Sequence, residues 1–237
     1  MGKIVIIKTG STLPGLKTRR GDFEDWIRGG MRLSPRDTTV VDVAAGEDLP
    51  PARGCRGIAI TGSHDMVSER LDWSERTAEW LRDAVRQGVP TLGICYGHQL
   101  LAHALGGMVD YNPRGPERGT TEIDLRDAAR TDTLLGGLPR TLKVHASHSQ
   151  SVLTLPPGAV LLASNPWDEN QAFRINECAW GVQFHPEFDS EIMRAYCDHD
   201  GSGACSDIGE TPQAAEVLRR FTAIVNAGTG TAGRTPS

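Results

Sequence analysis

The alternation of apolar and polar positions along the chain predicts an ordered series of strands and helices. Three short apolar runs, at residues 3–8, 38–43 and 57–61, have the length and composition of buried strands. Between residues 73 and 87 apolar side chains recur at helical spacing, and a fourth apolar run at 89–94 follows at once. This order of helix and strand is the crossover expected of a parallel sheet.

The rest of the chain carries further signals of the same kind. Residues 22–28 place apolar side chains on one helix face, whereas the polar, basic stretch 13–20 indicates a loop near the mouth of a site. Helices are predicted at 132–138, at 188–196 and from residue 212 onward. Later strands are predicted at 120–125, 160–163, 171–175 and 178–184. We therefore expect an α/β fold with an open, mainly parallel, flavodoxin-like sheet, helices on both faces and a small antiparallel β addition.

One stretch joins a strand to a helix through a cysteine. In Gly93-Ile94-Cys95-Tyr96-Gly97 the spacing Gly-x-nucleophile-x-Gly is that of a nucleophile elbow, a turn so tight that its neighbours need to lack side chains. The unpaired N–H groups and the dipole of the following helix favour the reactive thiolate. The alternative is that Cys95 is a small buried apolar residue, as most free cysteines are. The two glycines at this junction favour the nucleophile.

A histidine that can serve as the base follows near the end of a later strand. Apolar and polar residues alternate through 179–184 and Pro186 ends the strand, so His185 stands where the active sites of open α/β sheets gather. Glu187 points to the same side of the extended segment and can orient the imidazole. His98, on the elbow helix itself, is the weaker candidate for the base.

The two motifs GICYGHQLLAHALGG and VQFHPEF agree in type, order and spacing with those of a known family. Over about residues 3–196 the chain resembles the class I glutamine amidotransferases, and most of all their stand-alone GMP-synthase-like members and the plant γ-glutamyl peptidases. The resemblance implies a triad in which Cys95 is the nucleophile, His185 the general base and acid, and Glu187 its orienting partner.

The same resemblance implies the remaining parts of a site. An oxyanion hole would use the backbone N–H of Gly62 or Ser63, in the turn after the third strand, together with that of Tyr96. Gln150 stands where the family often has an aspartate, so the charged half of glutamine recognition is altered. His148 can also be a hydrogen-bonded strand histidine without contact to the substrate. The substrate-binding residues that the resemblance implies are Gln99, Ser147, His148 and Ser149.

The length of the chain sets its domain organisation. With 237 residues, of which 38% are hydrophobic and 23% charged, it is long enough for one α/β domain with a full core. We expect the class I glutamine amidotransferase domain to span residues 1–197. A C-terminal loop and helix at 198–227 would pack on it or on a second subunit, as in a homodimer, and residues 228–237 would be disordered.

Charge and cysteine content narrow the choice of partners. The net charge of −5 argues against nucleic acid or an anionic membrane as the main partner, and no apolar stretch approaches the ~20 residues of a membrane span. The five cysteines show no metal-ligand spacing, and Cys197, His199 and Cys205 lack a fourth ligand. We therefore expect a cytoplasmic protein that uses neither a metal nor another cofactor.

The sequence predicts cysteine-dependent hydrolysis of a γ-glutamyl amide, either glutamine or a γ-glutamyl compound, through a thioester. Two hypotheses share this chemistry. One is a self-sufficient hydrolase, which the sequence favours slightly, and the other is a glutaminase subunit that delivers ammonia to a separate synthase partner. Two rivals belong to other classes: a Cys-Asp-His α/β-hydrolase with Asp132 or Asp168 as its acid, and a non-catalytic binding subunit with an unreactive cysteine.

Overall fold

Within residues 2–199, 205 and 207–228, which this computed structural model describes, the chain forms eleven strands and six α-helices. The strands are β1 (Ile4–Lys8), β2 (Thr38–Asp42), β3 (Gly57–Ile60), β4 (Thr91–Ile94), β5 (Met108–Tyr111), β6 (Glu117–Leu125), β7 (Thr141–His148), β8 (Gln150–Thr154), β9 (Val160–Ser164), β10 (Ala172–Ile175) and β11 (Ala179–Val182). The helices are α1 (Pro14–Arg20), α2 (Phe23–Gly30), α3 (Asp72–Arg86), α4 (Tyr96–Ala104), α5 (Ser190–His199) and α6 (Pro212–Gly228).

Nine of these strands form one mixed sheet in the order β2-β1-β3-β4-β11-β10-β9-β6-β7. The first five are parallel to one another, and their order is that of a flavodoxin-like sheet. The other four continue the same sheet in antiparallel pairing, and β5 and β8 form a separate antiparallel pair. The predicted α/β fold with a mainly parallel sheet and an antiparallel addition is confirmed.

Both faces of the parallel half are buried, because helices cover each of them. Along β1 the side chains alternate: Ile4 and Ile6 pack with α2 and α6, whereas Val5 and Ile7 pack with α3 and α4. A side chain of this size contributes roughly 1.5–3 kcal/mol when it is fully buried. The continuous apolar runs read from the sequence are therefore strands with a helical layer on each side.

The C-terminal helix α6 packs on α2 and on β7. Its buried face consists of Ala214, Val217, Leu218, Phe221 and Val225. Leu218 lies so close to α2 that a Cβ added at Gly30 would be 2.3 Å from it. Gly228, where the disordered tail was expected to begin, is the last residue of α6, and residues 229–237 lie outside the described part of the chain. The division into a domain at 1–197 and a C-terminal extension stays a prediction.

The predicted loop at 13–20 is wrong, because this stretch forms helix α1. Pro14 occupies its first position, where the missing N–H of proline has no intrahelical partner to lose. Leu16 is its one buried side chain, so the stretch carries no apolar periodicity that the sequence could reveal.

The predicted helix at 132–138 is also wrong, since these residues form turns. The carboxylate of Asp132 accepts the backbone N–H groups of Leu134 and Leu135 at 2.8 and 3.0 Å, and it also receives the indole N–H of Trp180 at 3.2 Å. Bonds from an aspartate to nearby backbone groups compete with helix formation. A short 3₁₀ helix at Asp127–Thr131 precedes the turns instead.

Cys197 and Cys205 form a disulfide. The sequence favours reduced cysteines, and this bond departs from that expectation. Among the described residues, no group of three or more His, Cys, Asp or Glu side chains is arranged to hold a metal ion. No helix in the described part of the chain has both the length and the apolar character needed to cross a membrane.

A buried ion cluster fixes the start of α2 at the carboxyl end of β1. The ammonium group of Lys8 lies 2.7 Å from a carboxylate oxygen of Asp22 and 2.7 Å from one of Glu24. Asp22 also caps α2, since it accepts the backbone N–H of Phe23 at 2.9 Å. It accepts the backbone N–H of Thr12 as well, at 2.8 Å. Burial by itself raises the pKa of Asp22, but Lys8 and these backbone donors outweigh it and lower the pKa well below its usual range.

We predict that Asp22→Ala lowers the free energy of unfolding by about 3 kcal/mol near neutral pH, because it removes a helix cap and one partner of a buried cation. Because the pKa of Asp22 is lowered in the folded state, this stabilisation is present above a pH of about 4 and is lost as the pH falls below it. Urea denaturation at several pH values measures both effects.

The control for this variant is Glu79→Ala, which removes an exposed carboxylate from α3 and should change stability by less than about 0.5 kcal/mol. Equal stability of Asp22→Ala and wild type near neutral pH would contradict the role given to the cluster.

Candidate active site

Cys95 occupies the sharp turn between β4 and α4, with φ 52° and ψ −105°. The turn needs both of its glycines. A Cβ added at Gly93 would lie 2.3 Å from the carbonyl oxygen of Gly97, and one added at Gly97 would lie 2.7 Å from Cβ of Ile60. The N–H of Cys95 donates to the carbonyl of Val182 at 2.9 Å, which fixes the turn to the end of β11. These contacts produce the elbow that the sequence predicts.

The structure brings His185 and Glu187 to this cysteine. Strand β11 lies parallel to β4, so the loop that follows it and carries His185 meets the elbow at the same edge of the sheet. Nδ1 of His185 donates to a carboxylate oxygen of Glu187 at 2.7 Å, and Cys95 lies beside the same imidazole, since a Cβ added at Gly62 would lie 3.2 Å from Cε1 of His185 and 3.8 Å from Cβ of Cys95. The backbone N–H of His185 donates to the carbonyl of His145 at 2.8 Å. The three residues therefore form a connected chain from carboxylate to thiol.

The electrostatics of this chain favour a charged imidazole. Burial by itself lowers the pKa of His185, but the charges of Glu187 and Cys95 outweigh it and raise the pKa to about 10. The side chain of Glu187 is fully buried, and its second carboxylate oxygen has no hydrogen-bond partner in the described structure. Phe188 stacks on the imidazole with 4.0 Å between ring centroids. Near neutral pH the arrangement supports an imidazolium beside the sulfur of Cys95.

The turn after β3 places backbone amides beside the nucleophile. A Cβ added at Gly62 would lie 3.2 Å from Cε1 of His185, so this backbone approaches the reacting groups closely. The hydroxyl of Thr9 lies 3.0 Å from the carbonyl of Gly62 and holds the turn in place. Ser63 lines the pocket, and Tyr96 is the first residue of α4, where N–H groups lack an intrahelical acceptor.

Gln99 reaches the pocket from the first turn of α4. Its amide nitrogen donates to the carbonyl of Gln150 at 2.7 Å and to the side chain of Gln183 at 3.0 Å. Both of its N–H groups are thus used within the protein. Only its carbonyl oxygen is left to contact a substrate.

The segment predicted to bind substrate, residues 147–149, lies along the pocket. Its residues differ in the polar groups that they leave available to a substrate. The carbonyl of Ser147 is 3.8 Å from Sγ of Cys95, and Ser149 also lines the pocket. His148 is different, since one ring nitrogen bonds to Glu117 and the other to the carbonyl of Gln150, both at 2.9 Å. Both ring nitrogens of His148 are therefore used by hydrogen bonds within the protein.

Gln150 ties strand β8 to the loop that follows β3. Its side-chain oxygen accepts the backbone N–H of Ser68 at 3.3 Å, and its amide nitrogen lies 2.5 Å from the hydroxyl of Ser68. The residue is almost fully buried. Where the family often has a charged aspartate, this chain has a neutral contact that positions a loop.

A sequence profile described as glutamine amidotransferase class-I matches residues 25–197. The chain belongs to the class-I glutamine amidotransferase family. It is 41% identical over 144 residues to a glutamine-hydrolyzing GMP synthase of Aeropyrum pernix, covering 61% of this chain and 26% of that protein. It is 31% identical over 139 residues to gamma-glutamyl peptidase 4 of Arabidopsis thaliana, covering 58% of this chain and 55% of that protein.

Solved structures show the same fold. A glutamine amido transferase from Methylobacillus flagellatus superposes with a TM-score of 0.74 at 22% identity, over 100% of this chain and 98% of that one. The similarity to the GMP synthase covers only part of that protein, because the chain spans about a quarter of its length.

Asp132 and Asp168, the alternative acids, and His98, the alternative base, do not reach the active site of this class-I amidotransferase. The carboxylate of Asp132 bonds to turn amides, and that of Asp168 accepts the backbone N–H of Asn170 at 2.8 Å. His98 packs on Phe173 with 5.0 Å between ring centroids, and burial lowers its pKa to about 3. His98 is therefore a neutral core residue.

The side chains that line the same pocket include His64, Arg118, Tyr196 and His199, which sequence reasoning did not place among the site residues. The proline and glycine content of residues 113–119 predicts a loop there, whereas the structure places Arg118 in β6. Its direction depends on pairing with a strand some thirty residues later, for which no local pattern exists.

We predict that iodoacetamide labels Cys95 at least about tenfold faster than Cys55 or Cys178 near neutral pH. Burial raises the pKa of the thiols of Cys55 and Cys178, whereas Cys95 lies beside the imidazolium of His185. Peptide mapping by mass spectrometry after short exposures measures the three rates. His185→Ala should remove the preference, and equal rates for the three cysteines in the wild type would contradict the proposed reactivity of Cys95.

Proposed function

We propose that the protein hydrolyses the amide of a γ-glutamyl group, with Cys95 as nucleophile, His185 as general base and acid, and Glu187 as the residue that orients His185. The observation that carries this proposal is the connected chain from Glu187 through His185 to the elbow cysteine. A carboxylate that holds one imidazole nitrogen fixes the ring so that the other nitrogen faces the nucleophile. Membership of the class-I amidotransferase family supports the same chemistry.

In the first half-reaction the thiolate of Cys95 attacks the carbonyl carbon of the side-chain amide. The electron pair of the carbonyl moves onto oxygen, where backbone N–H groups of Gly62 or Ser63 and of Tyr96 would stabilise the charge. When the intermediate collapses, the C–N bond breaks and His185 gives its proton to the leaving amine. The products of this half are a free amine and a γ-glutamyl thioester.

In the second half-reaction a water molecule attacks the thioester. His185, now neutral, accepts a proton from the water, and the C–S bond breaks to release glutamate and the thiolate of Cys95. The proton returns the imidazole to its charged form. Glu187 stays ionised throughout and stabilises that form.

The γ-glutamyl group itself would be held by residues that line the same pocket as Cys95. We assign contacts with the substrate to the side-chain oxygen of Gln99 and to Ser147 and Ser149. His148 is assigned a positioning role, since its ring donates to the carbonyl of Gln150 and thereby fixes the segment that carries both serines.

A second function shares this chemistry and differs in the fate of the amine. The chain would then be a glutaminase subunit that delivers ammonia to a separate synthase partner. The similarity to a glutamine-hydrolyzing GMP synthase is consistent with this alternative, because the matched region covers only 26% of that protein. The similarity to a γ-glutamyl peptidase favours the self-sufficient hydrolase.

We predict that the purified protein releases glutamate from a γ-glutamyl dipeptide, from glutamine or from both, and that Cys95→Ala abolishes this release. An enzymatic glutamate assay measures it. Preference for the dipeptide supports the self-sufficient hydrolase, and preference for glutamine supports the ammonia-supplying subunit. Undiminished release by Cys95→Ala would overturn the proposed mechanism.

Two further variants, measured in the same assay, distinguish the Cys-His-Glu triad from a Cys-Asp-His hydrolase. Glu187→Gln should lower kcat by roughly 10²–10⁴, because the imidazole loses the carboxylate that sets its tautomer. Asp168→Asn is the matched control, since it alters another buried carboxylate that does not contact His185, and it should keep most of the activity. The reverse pattern would favour a Cys-Asp-His hydrolase.

A further inference from the structure

A buried carboxylate outside the triad contacts the segment 147–149. Glu117 is the first residue of β6 and pairs in register with His148 at the end of β7. Its side chain is 7% exposed. One of its carboxylate oxygens is 2.9 Å from Nε2 of His148 and 2.7 Å from the amide nitrogen of Gln171, and the other is 2.6 Å from the amide nitrogen of Asn165. The steps of the hydrolysis do not use this carboxylate.

Glu117 is charged near neutral pH. Burial by itself raises its pKa, but the hydrogen bond and the charge of His148, together with the bonds from Asn165 and Gln171, outweigh burial and lower the pKa below its usual value. An ionised carboxylate accepts hydrogen bonds and cannot donate them. Its three partners therefore present N–H groups to it, which fixes the orientation of each side chain.

A first route from this carboxylate to the pocket passes through His148. Its Nε2 donates to Glu117, and its other ring nitrogen lies 2.9 Å from the carbonyl oxygen of Gln150. The same carbonyl accepts an N–H of the Gln99 side chain at 2.7 Å. One acceptor of the Gln99 amide is thus held in place by the ring that Glu117 holds.

A second route passes through Gln171. Its side-chain N–H donates to Glu117 at 2.7 Å, and its backbone carbonyl accepts the backbone N–H of Gln183 at 2.8 Å. The side-chain oxygen of Gln183 accepts an N–H of Gln99 at 3.0 Å. Gln171 and Gln183 are fully buried, where the low local dielectric strengthens hydrogen bonds. The two routes meet at the amide nitrogen of Gln99.

This network determines which end of the Gln99 amide is available to a substrate. A side-chain amide offers N–H donors at one end and a carbonyl acceptor at the other. Both N–H groups of Gln99 are held by acceptors, so the carbonyl oxygen is the end left for the γ-glutamyl group. A reversed amide would place that oxygen against the oxygens of Gln150 and Gln183 and leave buried groups unpaired, which is costly.

We propose that Glu117 is a positioning residue for the hydrolysis and that it acts by orienting the side-chain amide of Gln99. The inference rests on the proposed hydrolysis and adds no step to it, since no bond forms or breaks at Glu117. The amide of Gln99 would contact a part of the γ-glutamyl group that does not react, and such a contact is equally strong in the ground state and the transition state. Its loss raises KM and leaves kcat unchanged.

The test measures kcat and KM for glutamate release from γ-glutamylglycine or glutamine, whichever the wild type hydrolyses faster. Glu117→Gln keeps the shape of the side chain but removes its charge and turns one acceptor into a donor. KM should rise about tenfold, because the contact with Gln99 is weakened, and kcat should stay within about threefold of wild type. Labelling of Cys95 by iodoacetamide should stay within about twofold, since the thiol keeps its environment.

A double-mutant cycle tests whether the effect passes through Gln99. Gln99→Ala alone should raise KM at least as much as Glu117→Gln does. Adding Glu117→Gln to Gln99→Ala should change KM by less than about threefold, because the group that Glu117 orients is then absent. A further rise of about tenfold in the double variant would overturn the proposal.

Glu117→Asp is the conservative variant, and it replaces Glu117→Gln in the test if the latter does not fold. It keeps the buried charge but shortens the side chain, so its KM should lie between those of the wild type and Glu117→Gln. The matched control is Glu122→Gln, which removes an exposed carboxylate from the same strand. Its kcat and KM should stay within about twofold of wild type.

An unchanged KM in Glu117→Gln and Glu117→Asp, even with a lower melting temperature, would mean that the carboxylate only stabilises the fold, and it would overturn the assignment. A loss confined to kcat, with slow labelling of Cys95, would overturn it as well. Both results leave the proposed hydrolysis standing. Failure of the wild type to release glutamate from either substrate would overturn both.

Discussion

The geometry of the whole site depends on the backbone turn at Cys95. A residue with a side chain is held there at φ 52° and ψ −105°, a conformation of the kind that costs about 1–3 kcal/mol. Close contacts at Gly93 and at Gly97 leave no space for the backbone of this turn to adopt a lower-energy conformation. The turn directs the thiol into the pocket at the sheet edge, and the bond from the N–H of Cys95 to Val182 ties the strand before His185 to the same turn.

Two buried charge clusters hold the other half of the site against this turn. Glu187 accepts a hydrogen bond from His185 and raises the pKa of that imidazole, and Lys8 with Asp22 fixes the first residue of α2, Phe23, whose ring centroid lies 6.5 Å from that of the imidazole. Each cluster is favourable only while its partners stay together, because a lone buried charge is costly. The reacting groups are therefore positioned by interactions that form together in the folded state.

The features that the sequence predicts well are those with a local signal. The elbow, the strand that precedes His185 and the apolar runs of the parallel sheet each have a pattern within about ten residues, and the structure contains all of them. Helix α1 was missed because a single buried leucine gives no periodicity. Arg118 was missed because its direction depends on the register of β6 with β7, and the bonds that commit His148 to Glu117 are equally remote in sequence.

The measurement that tests the central claim most directly is detection of the acyl-enzyme. The protein is mixed with a γ-glutamyl substrate and quenched in acid within one turnover, and its intact mass is measured. The account predicts the added mass of one γ-glutamyl group, mapped to the peptide that contains Cys95 and removed by hydroxylamine as a thioester would be. Substrate turnover with no adduct on Cys95 in early quenches, or an adduct on another residue, would contradict it.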